Sequence, residues 1–167
     1  EWIKKLDFAK PFFIEEPTSP DDISGHKKIK KAVKPIKVAT GEMCQNRIMF
    51  KQFIQENAID IVQIDSCRMG GLNEVLGVLL LSYKFNKPVW PHAGGVGLCE
   101  YVQHISMIDY LVISCEKNTK RIEYVDHLHE HFINPCVIEK GNYIAPLAPG
   151  FSIEMKPETL TNFLHLN

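Results

Sequence analysis

Five ionisable residues follow short apolar runs or stand in the loop beyond one. They are Glu15 in Ile14-Glu15-Glu16-Pro17, Glu42 in Thr40-Gly41-Glu42, Asp65 after Ile64, His92 in Trp90-Pro91-His92, and Glu123 in a loop further on. Carboxylates brought together from neighbouring runs repel unless a cation lies between them, and oxygen-only donors favour a hard ion such as Mg2+. Asp65 and His92 come from successive runs. An aspartate accepting from one imidazole nitrogen fixes the tautomer and raises the basicity of the other, which makes His92 a general acid or base. A divalent ion beside such a histidine suits removal of a proton next to a carboxylate, with the growing negative charge held electrostatically.

The apolar runs that deliver these residues read as strands over 11–14, 36–39, 61–64, 88–90 and 110–113. Helical patterns lie between them. Asp21 or Asp22 caps one through Val33, and Asn46 caps one over 47–56. A third runs over 72–85, with Leu72, Val75, Leu76, Leu79 and Leu80 at three- and four-residue steps, and a fourth over 98–107. Strand then helix, repeated about every 25 residues, means parallel strands joined by crossover helices. A doubly wound sheet would carry G-x-G-x-x-G after its first strand, and Gly94, Gly95 and Gly97 have the wrong spacing. A P-loop motif is absent. The remaining fold is a (β/α)8 barrel, in which chemistry sits at the carboxyl ends of the strands. Five strands are about five-eighths of such a barrel, and a start at Glu1 inside a helical pattern fits a piece of a longer chain.

Composition narrows the classes. The chain has 167 residues, 45% hydrophobic and 23% charged, as a globular protein does. Nineteen basic against 20 acidic residues leave a net charge of −1, which argues against a nucleic-acid partner. No apolar run approaches the roughly 20 residues that span a bilayer, so no membrane partner is expected. Five widely spaced cysteines without C-x-x-C read as free thiols in a reducing compartment.

The runs and the residues at their ends together resemble the enolase superfamily, mandelate racemase branch. The resemblance is carried by 13–22 (FIEEPTSPDD), 38–42 (VATGE), 63–68 (QIDSCR), 91–100 (PHAGGVGLCE) and 123–132 (EYVDHLHEHF). Within the branch these stretches are most similar to L-fuconate dehydratases. The resemblance implies an α/β fold: the C-terminal part, about five βα units, of an enolase-type modified (β/α)8 barrel, without the N-terminal capping domain. Residues 1–133 would be strands four to eight, and 134–167 a tail returning toward the capping domain. It implies Glu15 and Glu42 as Mg2+ ligands, with Glu42, His92 and Glu123 contacting substrate and the His92–Asp65 dyad as acid–base catalyst. The implied reaction is a hydro-lyase step: Mg2+-dependent dehydration of L-fuconate to 2-keto-3-deoxy-L-fuconate through an enediolate. Another acid-sugar dehydratase or epimerase, and a non-catalytic truncated product, stay open as alternatives. The family's Lys-x-Lys and third metal ligand would precede this chain, so the chain alone would be inactive. A small-molecule sugar acid is the expected partner. A homo-oligomer would form through the missing half, and the location would be mitochondrial by resemblance, otherwise cytoplasmic.

Other residues have plainer readings. Glu16 competes with Glu15 as ligand, and strand alternation lets only one of them face the barrel mouth. Lys27, Lys31 and Lys34 read as a solvated helix face. His127, His129 and His131 suit zinc or copper better than Mg2+, and bracing of the Glu123 loop is the simpler role. His26, His104 and His165 read as surface or satisfied core residues. Gly94-Gly95 permits a close backbone approach beside His92 or a tight turn.

Overall fold

The computed structural model describes residues 2–164. The short helix α1 (Trp2–Lys5) precedes strand β1 (Phe13–Glu15), helix α2 (Ile23–Val33), strand β2 (Lys37–Thr40), helix α3 (Arg47–Gln55), strand β3 (Ile61–Val62), and helices α4 (Leu72–Lys84) and α5 (Leu98–Ile108). The two expected caps form. Asp22 Oδ1 accepts from the Gly25 N–H at 2.8 Å, and Asn46 Oδ1 accepts from Ile48 and Met49 N–H at 3.0 and 3.1 Å. Each satisfies donors that a helix start leaves without an intrahelical partner.

The strands pair in parallel in the order β1-β2-β3, with Ile14 opposite Val38 and Thr40 opposite Val62. The run 88–90 continues the ladder as a single bridge, Val62 to Val89. The N–H groups of Trp90 and His92 then donate to Val62 and Ile64 carbonyls at 2.9 and 3.0 Å. Val38, Phe50, Phe53, Ile61, Val62 and Ile64 are fully buried, so helix and sheet share one core. Each such side chain contributes about 1.5–3 kcal/mol by leaving water. Gly41, at φ +141, closes this core at the end of β2, where a Cβ would lie 2.7 Å from the Gln63 carbonyl oxygen.

The fifth expected strand, 110–113, is a correction. Asp109–Ser114 is a π-helical continuation of α5, ending at Cys115 with φ 52. A four-residue apolar run looks the same in a strand and in a buried helix. Here the buried positions Val102, Ile105 and Asp109 keep helical spacing, and Tyr110, Leu111 and Val112 are exposed.

The chain divides into two compact units. One holds the residues up to His92 together with Glu116–Arg121; the other holds Ala93–Cys115 and the residues from Ile122 on. In the second unit lie the hairpin of β4 (Ile138–Glu139) and β5 (Asn142–Tyr143) and the short helix α6 (Pro157–Asn162). Phe132 bridges to Met155, and the Lys156 N–H donates to the His131 carbonyl at 2.9 Å, which ties this segment to residues 131–133. Among the described residues no helix is long and apolar enough to cross a membrane.

Candidate functional site

Parallel pairing sets the ends of β1, β2, β3 and the 88–92 segment side by side, so the residues just after them share one rim of the first unit. Asp65 and His92 meet there. His92 Nδ1 lies 3.0 Å from Asp65 Oδ2, and the other oxygen, Oδ1, accepts from the Cys67 N–H at 2.7 Å. Burial works to raise the Asp65 carboxyl, but the hydrogen bonds from His92 and Cys67 outweigh it and hold the group below the usual carboxylate range. Both the backbone and the ring of His92 are thus fixed to the Ile64–Asp65 segment.

The opposite ring nitrogen, Nε2, faces Glu42 Oε2 at 3.3 Å. An imidazole satisfies an acceptor at each nitrogen only as the imidazolium, the form that can donate a proton from Nε2. Glu42, Asp65 and His92 therefore form one line of groups, the histidine between two carboxylates.

Glu15 ends β1 opposite Ala39 and is exposed. Glu16 follows with φ 39, is half-buried, and accepts from Thr40 Oγ1 over a long 3.4 Å contact. Together with burial, its charge pushes the Cys44 thiol up to about 12. Glu15 and Glu42, both oxygen donors at the ends of adjacent strands, fit the preference of Mg2+ for one or two carboxylates plus water and substrate oxygens. Glu123 belongs to the second unit, where its Oε2 accepts from the Ala93 N–H at 2.6 Å and its backbone carbonyl accepts from Tyr143 Oη at 2.6 Å.

Trp90 was not singled out in the sequence. It packs edge-on against Phe13 at 5.4 Å and stacks on Phe12 at 6.0 Å, and its Nε1–H donates to the Thr119 carbonyl at 2.8 Å. An aromatic in a Pro-rich segment two residues before His92 was the available signal. His26 is a buried core residue, its Nδ1 2.9 Å from the Asp22 carbonyl and its ring edge-on to Phe53. His104 contacts Ser152 at 3.1 Å, and His165 lies outside the described residues. The glycine that the structure requires after His92 is Gly97, at φ +77, where a Cβ would lie 2.9 Å from the Phe132 ring; Gly94 is exposed.

The family described as "Enolase C-terminal domain-like" matches residues 1–159. An L-galactonate dehydratase of Hypocrea jecorina is 59% identical over 165 residues, which are 98% of this chain and 36% of that protein. The crystal structure of human mitochondrial enolase superfamily member 1 superposes with a TM-score of 0.92 at 55% identity, over 95% of this chain and 36% of that one. A crystal structure of a mutant L-talarate/galactarate dehydratase liganded with Mg and L-glucarate superposes with a TM-score of 0.81 at 25% identity, over 99% of this chain and 38% of that one. The chain thus spans a little over a third of the length of these relatives.

Proposed function

The chain belongs to the enolase C-terminal domain-like family, and from that premise we propose that it supplies the general-acid histidine and two of the metal ligands of an Mg2+-dependent acid-sugar dehydratase, a hydro-lyase. The observation that carries this reading is the His92 ring, held at Nδ1 by Asp65 and facing the Glu42 carboxylate at Nε2. Dehydration of a sugar acid needs a proton removed beside the carboxylate and a proton delivered to the departing hydroxyl. His92 delivers the second from Nε2. Asp65 keeps the ring in the orientation and tautomer that this requires and stabilises its charged form. Glu15 and Glu42 would hold the Mg2+ ion. When bound, that ion supplies electrostatic stabilisation of charge growing on the substrate carboxylate. Glu42 also meets the substrate at this edge, and by the family resemblance Glu123 is a further substrate contact. A chain of this kind in eukaryotic relatives carries a mitochondrial name, and we assign the same location here.

For the substrate, two acids stand out. The L-galactonate relative and the L-fuconate resemblance describe one configuration, because L-fuconate is L-galactonate lacking its 6-hydroxyl. We therefore assign a six-carbon acid of L-galacto configuration. The test compares L-fuconate, L-galactonate and D-galactonate, with detection of the 2-keto-3-deoxy product. The assay is run on the 167-residue chain alone and on the chain carried within a polypeptide of its relatives' length. Turnover of both L-acids by the longer polypeptide, and by the chain alone none, is expected. Preference for D-galactonate would overturn the substrate assignment, and turnover by the chain alone would show that the upstream residues are dispensable.

A further inference from the structure

One cluster in the second unit takes no part in this reaction. Glu100, in the first turn of α5, is fully buried. Its Oε1 lies 2.5 Å from His129 Nδ1 and accepts from the Cys136 N–H at 3.3 Å. Its Oε2 is buried as well and has no hydrogen-bond partner. A carboxylate oxygen left this way costs free energy that a cation would recover. Cys136 Sγ lies 3.7 Å from the same nitrogen, His129 Nδ1.

The His129 ring is fixed before any ligand arrives. Its Nε2 lies 2.8 Å from the Val125 carbonyl, and Tyr124 stacks on it at 5.4 Å with the planes 11° apart. A carbonyl oxygen only accepts, so Nε2 carries a proton. In the neutral ring Nδ1 is then a lone pair aimed at a carboxylate oxygen. That contact is repulsive unless a proton or a metal ion joins the two. A carbonyl holding the far nitrogen is also how metal-bound imidazoles are oriented.

We infer that Glu100, His129 and Cys136 form a transition-metal site suited to Zn2+. Their ligand atoms all lie within 4.8 Å of one another. A tetrahedral ion with bonds of about 2.0–2.3 Å holds its ligands roughly 3.3–3.8 Å apart, so the 3.7 Å between Cys136 Sγ and His129 Nδ1 already suits it, and the 2.5 Å contact of His129 Nδ1 with Glu100 Oε1 opens by roughly 1 Å to admit the ion. Thiolate and imidazole exclude Mg2+ and select a softer ion. On binding, the Cys136 S–H bond is replaced by a metal–sulfur bond, and two protons pass to solvent: that of the thiol and the one that joins His129 Nδ1 to Glu100 Oε1 in the metal-free chain. The second Glu100 oxygen or a water completes the coordination.

The test uses the full chain, stripped with chelator and kept in excess Mg2+ so that oxygen-only sites are filled. Zn2+ is titrated by calorimetry, and each cysteine's alkylation rate is read by mass spectrometry. One equivalent of Zn2+ is expected to slow alkylation of Cys136 on the order of tenfold or more, because a metal-bound thiolate is a poor nucleophile. The exposed Cys67 and Cys115 should be unchanged. Co2+ in place of Zn2+ should give a thiolate charge-transfer band that Cys136→Ser removes and Cys115→Ser keeps. Unslowed alkylation of Cys136, equal slowing at all three thiols, or a band that survives Cys136→Ser would overturn the proposal. If Cys136→Ser does not fold, the alkylation rates of the unaltered chain decide alone.

Discussion

Both oxygens of Asp65 are engaged, Oδ2 by the His92 ring and Oδ1 by the Cys67 N–H, and this holds the carboxyl below its usual range. The consequence for stability has a definite sign. A carboxylate with a lowered native pKa contributes stability that is full above about pH 4, near its unfolded value, and is lost as pH falls through the lower native value. Thermal melts from pH 6 downward should show the unaltered chain above Asp65→Asn, with the gap shrinking below about pH 4. In a catalytically complete polypeptide, His92→Asn should lower turnover about 10²–10⁴-fold with Mg2+ affinity kept, the range for loss of a general acid. Asp65→Asn should be milder, because it disturbs the ring and leaves the acid in place; equal losses from the two would refute that division of roles. Glu42, Asp65 and His92 were legible in the sequence because each closes an apolar run, and parallel strands place their ends together. Glu100 was not. A glutamate in the first turn of a helix reads as a favourable partner for the helix dipole. Its burial follows only when residues 125–136, about 30 positions later, fold over it.

At the scale of elements, α2, β3 and the loop after α4 meet at an overcrowded set of acceptors. Lys30 Nζ donates to Asn57 Oδ1 and the Ile59 carbonyl at 2.8 and 2.9 Å and pairs with Asp60 at 2.8 Å. Lys87 Nζ donates to the same Asn57 and Ile59 oxygens at 3.0 and 2.9 Å. Burial, then the nearby Lys30 charge, lower the Lys87 ammonium to about 8. A base whose pKa is lowered by folding destabilises the native state in its charged form, so stability should rise between about pH 8 and the unfolded lysine value near 10.4. Lys87→Met should therefore raise the melting temperature at pH 7, since Lys30 still serves both acceptors, and the gain should vanish above about pH 10. Melts of the two chains at pH 7 and pH 10.5 check it. Lys27, Lys31 and Lys34 are exposed as their spacing predicts, while Lys30 between them is buried, with partners about 30 residues away that leave no local trace. The caps at Asp22 and Asn46 were legible because they are local. Residues 110–113 were not, because only the burial of Val102, Ile105 and Asp109 tells helix from strand there.

For the molecule as a whole, β1 pairs with β2 alone among the described residues, and apolar side chains stand exposed beside it and elsewhere: Phe8 at 83%, Phe12 at 58%, Val112 at 75%. An open parallel edge is a template for another chain. Sedimentation of the isolated chain should show association that grows with concentration, and a concentration-independent monomer would refute this. The same ladder has a meaning in time. Phe13 waits for Lys37 and Ala39 for Ile61, and Val62 waits for Val89, so every pairing joins a strand to the next one made. At about 5–20 residues per second a ribosome delivers each partner roughly 1–5 s after the last. The sheet is therefore extended from its newest strand, and of these three strands β1 leaves the ribosome first, so its pairing with β2 is the earliest contact of this ladder that a nascent-chain chaperone would meet.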